Sequence, residues 1–296
     1  MIQPEKADLS SAWAVVPEQL VCYVRATAGA LPVRYNACLG YESSDSLILI
    51  GYPPRDPLNH EVVMQSLKAA MLTTRAHRIT LLAAGSPDPG PEFENWSREA
   101  GTGREAPRDE YLSLPIPPGS LPQKVRNITR RAGREVSIRQ AGELDSEQLE
   151  LVRHYLNHRD LSPGLRLIFR NIKGYVDACP GALVISAWKP GGKLAGFSIG
   201  DYTGLETAFY MFSFRHPEFA PPGTADLLLY ELLKEGEKRG QGRMNLGLSV
   251  NPGITFFKKK WRALPFLPYM ETSWKRRPGG RLTKIWKRIF SGCRFQ

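Results

Sequence analysis

The sequence predicts an α/β (α+β) protein of two consecutive lobes, each a mixed, mostly antiparallel sheet flanked by helices. Three observations lead there. β-prone runs come in pairs at hairpin spacing, apolar helical stripes follow proline-broken loops, and a short strand closes each set. The order hairpin, broken loop, helix, strand occurs twice. From Ile50 to Ile79 the chain takes nearly the same count as from Phe214 to Met244, a recurrence of pattern rather than of letters. With 296 residues and 42% hydrophobic content, the chain is long and apolar enough to bury real cores.

In chain order, residues 1–115 form the expected first lobe. Val33 to Tyr41 and Ser46 to Ile50 read as a hairpin across Glu42-Ser43-Ser44-Asp45. Tyr52-Pro53-Pro54 breaks the chain, and Val62, Val63, Leu67, Ala70 and Met71 mark a helix before the strand Ile79 to Ala83. Ser86 to Arg108, rich in Pro, Gly, Glu and Arg, reads as loop with a short helix at Pro91 to Glu99. Tyr111 to Ile116 is expected to cross to the second lobe, 116–274, which opens on Pro117-Pro118-Gly119.

Leu121 to Arg134 is helical, with Val125, Ile128 and Ala132 inward and a basic outer face, and Val136 to Arg139 is a strand. Asp145 to Asn157 starts as a capping box, Asp145 with Gln148 three residues on. The most informative stretch is Lys193 to Ala263. Lys193 to Asp201 and Thr207 to Phe214 are a hairpin with a longer turn, and the chain breaks at Pro217. After Pro221-Pro222-Gly223, Leu227, Leu228, Tyr230, Leu232 and Leu233 form a helical stripe that ends at Arg239-Gly240. Arg243 to Leu248 is a short strand, and Asn251-Pro252-Gly253 leads into a brief helix carrying Phe256, Phe257 and Lys260.

That order resembles the GNAT superfamily of N-acetyltransferases, whose acyl-CoA loop has small residues between a strand and a helix. Ala220-Pro221-Pro222-Gly223-Thr224-Ala225 fits at two small positions, although Ala220 replaces the usual Gln or Arg, two prolines lack N–H donors, and Asp226 adds negative charge. The stretch Asn251 to Ala263 carries Lys258 where many GNAT enzymes have a Tyr that protonates the leaving thiolate. Phe-Lys followed by an aromatic and a small residue looks more like the Fem-type aminoacyl transferases and the soluble domain of lysyl-phosphatidylglycerol synthases. Their second lobe also begins with an Arg-x-x-x-Arg-Arg helix. The resemblance runs from about Leu114 to Met270.

The resemblance implies an acyltransferase moving an acyl or aminoacyl group to an amine or hydroxyl. Its donor would be acyl-CoA, acyl carrier protein or aminoacyl-tRNA, with no permanently bound cofactor. It implies donor contacts at Phe214, Gly223, Thr224, Ala225 and Asn251, and Lys258 as leaving-group acid or phosphate partner. Asp201 or Glu206, at the hairpin end, would take the acceptor proton. The competing readings are a helix that merely follows a Pro-Pro-Gly turn, core aromatics with solvated lysines, and turn carboxylates. A scaffold that has lost its chemistry and binds RNA or an anionic membrane is the alternative function.

The formal net charge is +11, with basic clusters at Lys124 to Arg134, Lys258 to Arg262 and Lys275 to Arg288, which favours an anionic partner. Leu282, Ile285, Trp286, Ile289 and Phe290 give the tail, 275–296, an apolar helical face opposite Arg281, Lys284, Lys287 and Arg288. Such a helix lies in a membrane interface or packs on its own core. No signal peptide and no membrane-spanning window is read, so a cytoplasmic protein with peripheral membrane contact is expected. Cys22, Cys38, Cys179 and Cys293 have no paired spacing, so neither zinc nor a disulfide is expected. His154 and His158, one turn apart, lack a third ligand, and no Gly-x-Ser-x-Gly elbow occurs.

Overall fold

The computed structural model describes residues 11–100, 109–249 and 251–277. Its strands are β1 (Leu31–Tyr35), β2 (Cys38–Glu42), β3 (Ser46–Gly51), β4 (Arg78–Ala83), β5 (Trp96–Arg98), β6 (Asp109–Pro115), β7 (Ser137–Ala141), β8 (Ala182–Trp188), β9 (Leu194–Asp201), β10 (Thr207–Arg215), β11 (Arg243–Asn245) and β12 (Leu264–Arg276). The helices are α1 (Val21–Ala28), α2 (His60–Thr73), α3 (Gln123–Glu135), α4 (Ser146–His158), α5 (Pro163–Arg170), α6 (Ile172–Ala178), α7 (Thr224–Lys238) and α8 (Pro252–Lys260). The amphipathic tail, Arg281 to Phe290 included, lies outside the described residues.

The chain divides into two units that interleave along the sequence. Within the described residues, the first holds 31–100 and 269–277, and the second holds 11–30 and 109–268. Residues 11–30, which a linear split gives to the first lobe, thus belong to the second, and Lys275 and Arg276 are strand rather than tail.

In the first unit the strand order is β1-β2-β3-β4-β12, with β5 on β12. The expected single strand Val33 to Tyr41 is itself a hairpin. Asn36 takes φ 51° at the turn, a left-handed conformation that Asn tolerates, and β1 doubles back onto β2. The stretch expected as a helix at Pro91 to Glu99 is one 3-10 turn, Pro91–Phe93, followed by β5. Asn59 caps α2 by accepting the Val62 N–H, and Val63, Leu67, Ala70 and Met71 bury the helix on the sheet. The parallel pair β3 and β4 stays joined along its whole length, from Ser46 opposite Arg78 to Gly51 opposite Ala83.

The second unit repeats that order of pairings. Its strands run β6-β11-β10-β9-β8-β7, antiparallel except for β10 and β11. Leu227, Leu228, Leu229, Leu232 and Leu233 of α7, with Val125 and Ala132 of α3, cover one face. Leu151, Val152 and Leu156 of α4 and Ile172, Tyr175 and Val176 of α6 cover the other. The capping box at Asp145 and Gln148 forms in both directions. Helices α1, α5 and α6 and strand β8 were not legible from periodicity. One expectation is corrected outright: Cys22 of α1 and Cys179, just past α6, are joined by a disulfide. They stand 157 positions apart, so linear spacing held no sign of the pair.

Candidate functional site

The site follows from how β10 and β11 pair. They match over three residues only, Thr207, Ala208 and Phe209 against Arg243, Met244 and Asn245. Strand β10 then continues for six more residues, with an irregularity against β9 between Tyr210 and Phe212. The other strand leaves. Asn245, almost wholly buried, donates from Nδ2 to the Val15 carbonyl and accepts the Gly247 N–H on Oδ1 (2.8 and 2.7 Å), and Gly247 sits at φ 76°. That turn carries the chain away from β10, so the parting begins past Phe209. Among the described residues, no strand pairs with β10 on that side past Phe209, so a gap opens between the parallel strands there.

Lys258 closes one side of this gap. Helix α8 starts where Asn251 Oδ1 accepts the Ile254 N–H (2.9 Å), and it presents Lys258 inward at 2% exposure. The ammonium donates to the Gly247 and Leu248 carbonyls at 2.6 and 2.7 Å. Burial lowers its pKa to about 8, against the opposing pull of Asp109. Phe257 stacks over Tyr210, whose hydroxyl is pushed upward by burial.

The remaining sequence candidates are distributed differently. Gly223 takes φ 90° and abuts helix α3, where a Cβ would meet the Ile128 carbonyl at 2.7 Å. Thr224 is fully buried and gives its hydroxyl to the Pro221 carbonyl (2.7 Å). Ala225 follows in the first turn of α7. Asp226 is not an exposed repellent: it is buried and binds Lys260 and the Trp261 indole N–H, the latter at 2.8 Å. Phe214 stacks on Phe197 inside the apolar core. Asp201, 1% exposed, accepts from the Tyr175 hydroxyl (2.7 Å) and the Thr203 N–H (2.9 Å). Glu206, well exposed, pairs with Arg243 at the joined end of β10 and β11.

His154 and His158 stack at 4.1 Å, and His158 Nδ1 lies 2.8 Å from the His154 carbonyl. Among the described residues no group of three or more His, Cys, Asp or Glu is placed to hold a metal. Sequence reasoning missed the β10 irregularity and the turn that Asn245 holds. Only Asn245, a polar residue within the stretch Arg243 to Leu248, left any trace, and the strand stops there rather than at Leu248.

A central parallel pair that parts beside a broken strand, with a helix between its two strands, defines the GNAT fold class. Solved structures agree. FemX aligns at 12% identity with a TM-score of 0.62, over 98% of each chain. The L-PGS of Bacillus licheniformis aligns at 13% identity and TM-score 0.50, over 94% of this chain and 98% of its own. A conserved protein from Bacteroides thetaiotaomicron VPI-5482 gives 12% identity and 0.57, over 91% of each. The chain has the fold these proteins share. No protein-family model and no curated protein sequence matches it.

Proposed function

We propose that the protein is an acyltransferase of the GNAT and Fem type that carries an aminoacyl group from an RNA ester to an amine or hydroxyl acceptor. The observation that carries this reading is the gap past Phe209 and Asn245, floored by β10 and bordered by the buried Lys258 ammonium. Free main-chain N–H groups at such a gap steady the oxyanion of a tetrahedral intermediate, and a fixed cation favours departure of an anionic leaving group.

Among the three donor classes, acyl-CoA, acyl carrier protein and aminoacyl-tRNA, the last fits best. A CoA pyrophosphate needs open N–H groups at the start of α7. There, prolines lack them, Gly223 is pressed against Ile128, Thr224 is buried, and Asp226 already holds Lys260. Meanwhile α3 presents Lys124, Arg126, Arg130, Arg131 and Arg134 to solvent, a surface suited to phosphates spaced along a strand. Within this reading Lys258 is the leaving-group partner and Asn251 holds its helix. Gly223, Thr224 and Ala225 open α7 against α3, away from any donor contact, and Phe214 supports β10. Asp201 and Glu206 are left as structural groups. The proposal extends to cytoplasmic location and to peripheral membrane contact through Arg281 to Phe290.

The test presents purified protein with charged tRNA, acetyl-CoA and acylated carrier protein, each radiolabelled in the acyl group, against primary amines and anionic-lipid vesicles. Transfer from charged tRNA is expected. Transfer from acetyl-CoA alone would reassign the donor, and transfer from none would leave the scaffold reading, in which basic surfaces bind RNA or membrane without chemistry.

A further inference from the structure

The gap has a second side, formed by residues that lie ahead of the first unit in sequence. The segment 11–30 folds as 3-10 turns at Ser11–Trp13 and Pro17–Gln19 followed by α1. Gln19 Oε1 accepts the Val15 and Val16 N–H groups (2.8 and 3.2 Å), which holds the Val15 carbonyl towards Asn245. Ala14 and Leu20 pack on Phe209, with Met211 beside them, so the segment sits where β10 leaves β11.

Glu18 projects from the middle of this segment. Its Oε2 accepts the Tyr111 hydroxyl at 3.0 Å. Tyr111 lies on β6 next to Leu112, whose N–H and carbonyl bind Gly247 and Leu246, the residues that have just left β10. A further titratable neighbour is Tyr23 of α1, whose pKa is raised by burial and by the Glu18 charge. Its ring packs 6.2 Å from Phe212, just past the β10 irregularity. One neighbour of the carboxylate therefore lies on the strand that holds the departing chain, and the other packs against β10, which sets Glu18 beside the place where the two strands part.

We propose that Glu18 is the general base that deprotonates the acceptor in the transfer reaction; the inference rests on the function proposed above. The Glu18 carboxylate takes one proton from the acceptor ammonium, and the freed nitrogen lone pair forms the C–N bond while the carbonyl pair moves to oxygen. Collapse breaks the bond from the acyl carbon to the leaving ribose oxygen, which takes the second N–H proton. Glu18 then returns its proton to water. Burial raises the carboxyl above its ordinary value, which suits a base near neutral pH, while the Tyr111 hydrogen bond pulls it back.

The test uses the full chain with charged tRNA and a primary amine acceptor, over a range of pH. Glu18→Gln, which keeps shape, is expected to lower kcat by roughly 100-fold or more, to leave the KM for charged tRNA unchanged, and to remove the rising limb of the pH profile. Tyr111→Phe removes a bond that favours the charged carboxylate, so its rising limb moves to higher pH, a shift that a purely structural Glu18 would not produce. Should Glu18→Gln fail to fold, the Tyr111→Phe profile decides. Wild-type kcat and profile in folded Glu18→Gln, or an unmoved limb in Tyr111→Phe, overturns the base assignment and leaves the transferase reading intact. Absence of transfer by the wild type overturns both.

Discussion

At the scale of single residues, charge inside the second unit is placed with partners. Lys258 meets two carbonyls, and its lowered pKa has a signed consequence: the ammonium is lost as pH rises through about 8. If that charge assists departure, turnover falls above this pH, and Lys258→Arg, which cannot deprotonate there, keeps whatever activity it has through the same range. A pH profile of both proteins checks it. Asp226 gives a stability prediction. Asp226→Ala leaves the Lys260 ammonium and the Trp261 indole N–H without their buried acceptor, so urea unfolding is expected to show a loss of about 3 kcal/mol. Lys258 was legible as a candidate because its neighbours carried a family pattern. Asp226 was misread as repelling phosphate because Lys260 and Trp261, which neutralise and bind it, stand far along the chain.

At the scale of elements, the pieces with strong local chemistry were readable and those made by tertiary context were not. The capping box of α4 and the leucine stripe of α7 are written in adjacent letters, and both formed. Helix α5 begins Ser162-Pro163-Gly164, which reads as a turn, yet Ser162 caps it and Pro163 occupies the first helical position. Strand β8 is buried along most of its length, apolar on both faces except for Ser186, so it carries no alternation to recognise. The β10 irregularity leaves no mark in sequence, because any residues can form one where the neighbouring strand departs. The junction of α3 and α7 yields a further test. Gly223→Ala combines a left-handed backbone with a Cβ 2.7 Å from the Ile128 carbonyl, so it is expected to destabilise the protein by more than about 1 kcal/mol, read by denaturant midpoint. Asn251→Ala removes the α8 cap at a cost of about 1 kcal/mol, and because α8 holds Lys258, turnover should fall more than stability alone explains.

At the scale of the whole molecule, the Cys22–Cys179 bond joins the segment that carries Glu18 to the end of α6. Constraining so long an unfolded loop stabilises by up to about 5 kcal/mol, so Cys22→Ser is expected to lower the unfolding midpoint in oxidising buffer and to behave as wild type in dithiothreitol. Alkylation mass spectrometry of protein taken directly from cells would report the bond's state there. The fold class and the recurring order of elements were legible because they rest on hydrophobic pattern, which is local. The interleaving was not, since nothing in residues 11–30 names the sheet they will join. It also dictates an order of events during synthesis. A ribosome releases the segment bearing Glu18 before any strand of its own sheet exists, and the first unit waits for residues 269–276 to complete its sheet. Neither half has all of its strands until residues 264–276 have been made, so a nascent chain must hold both sheets open until β12 emerges.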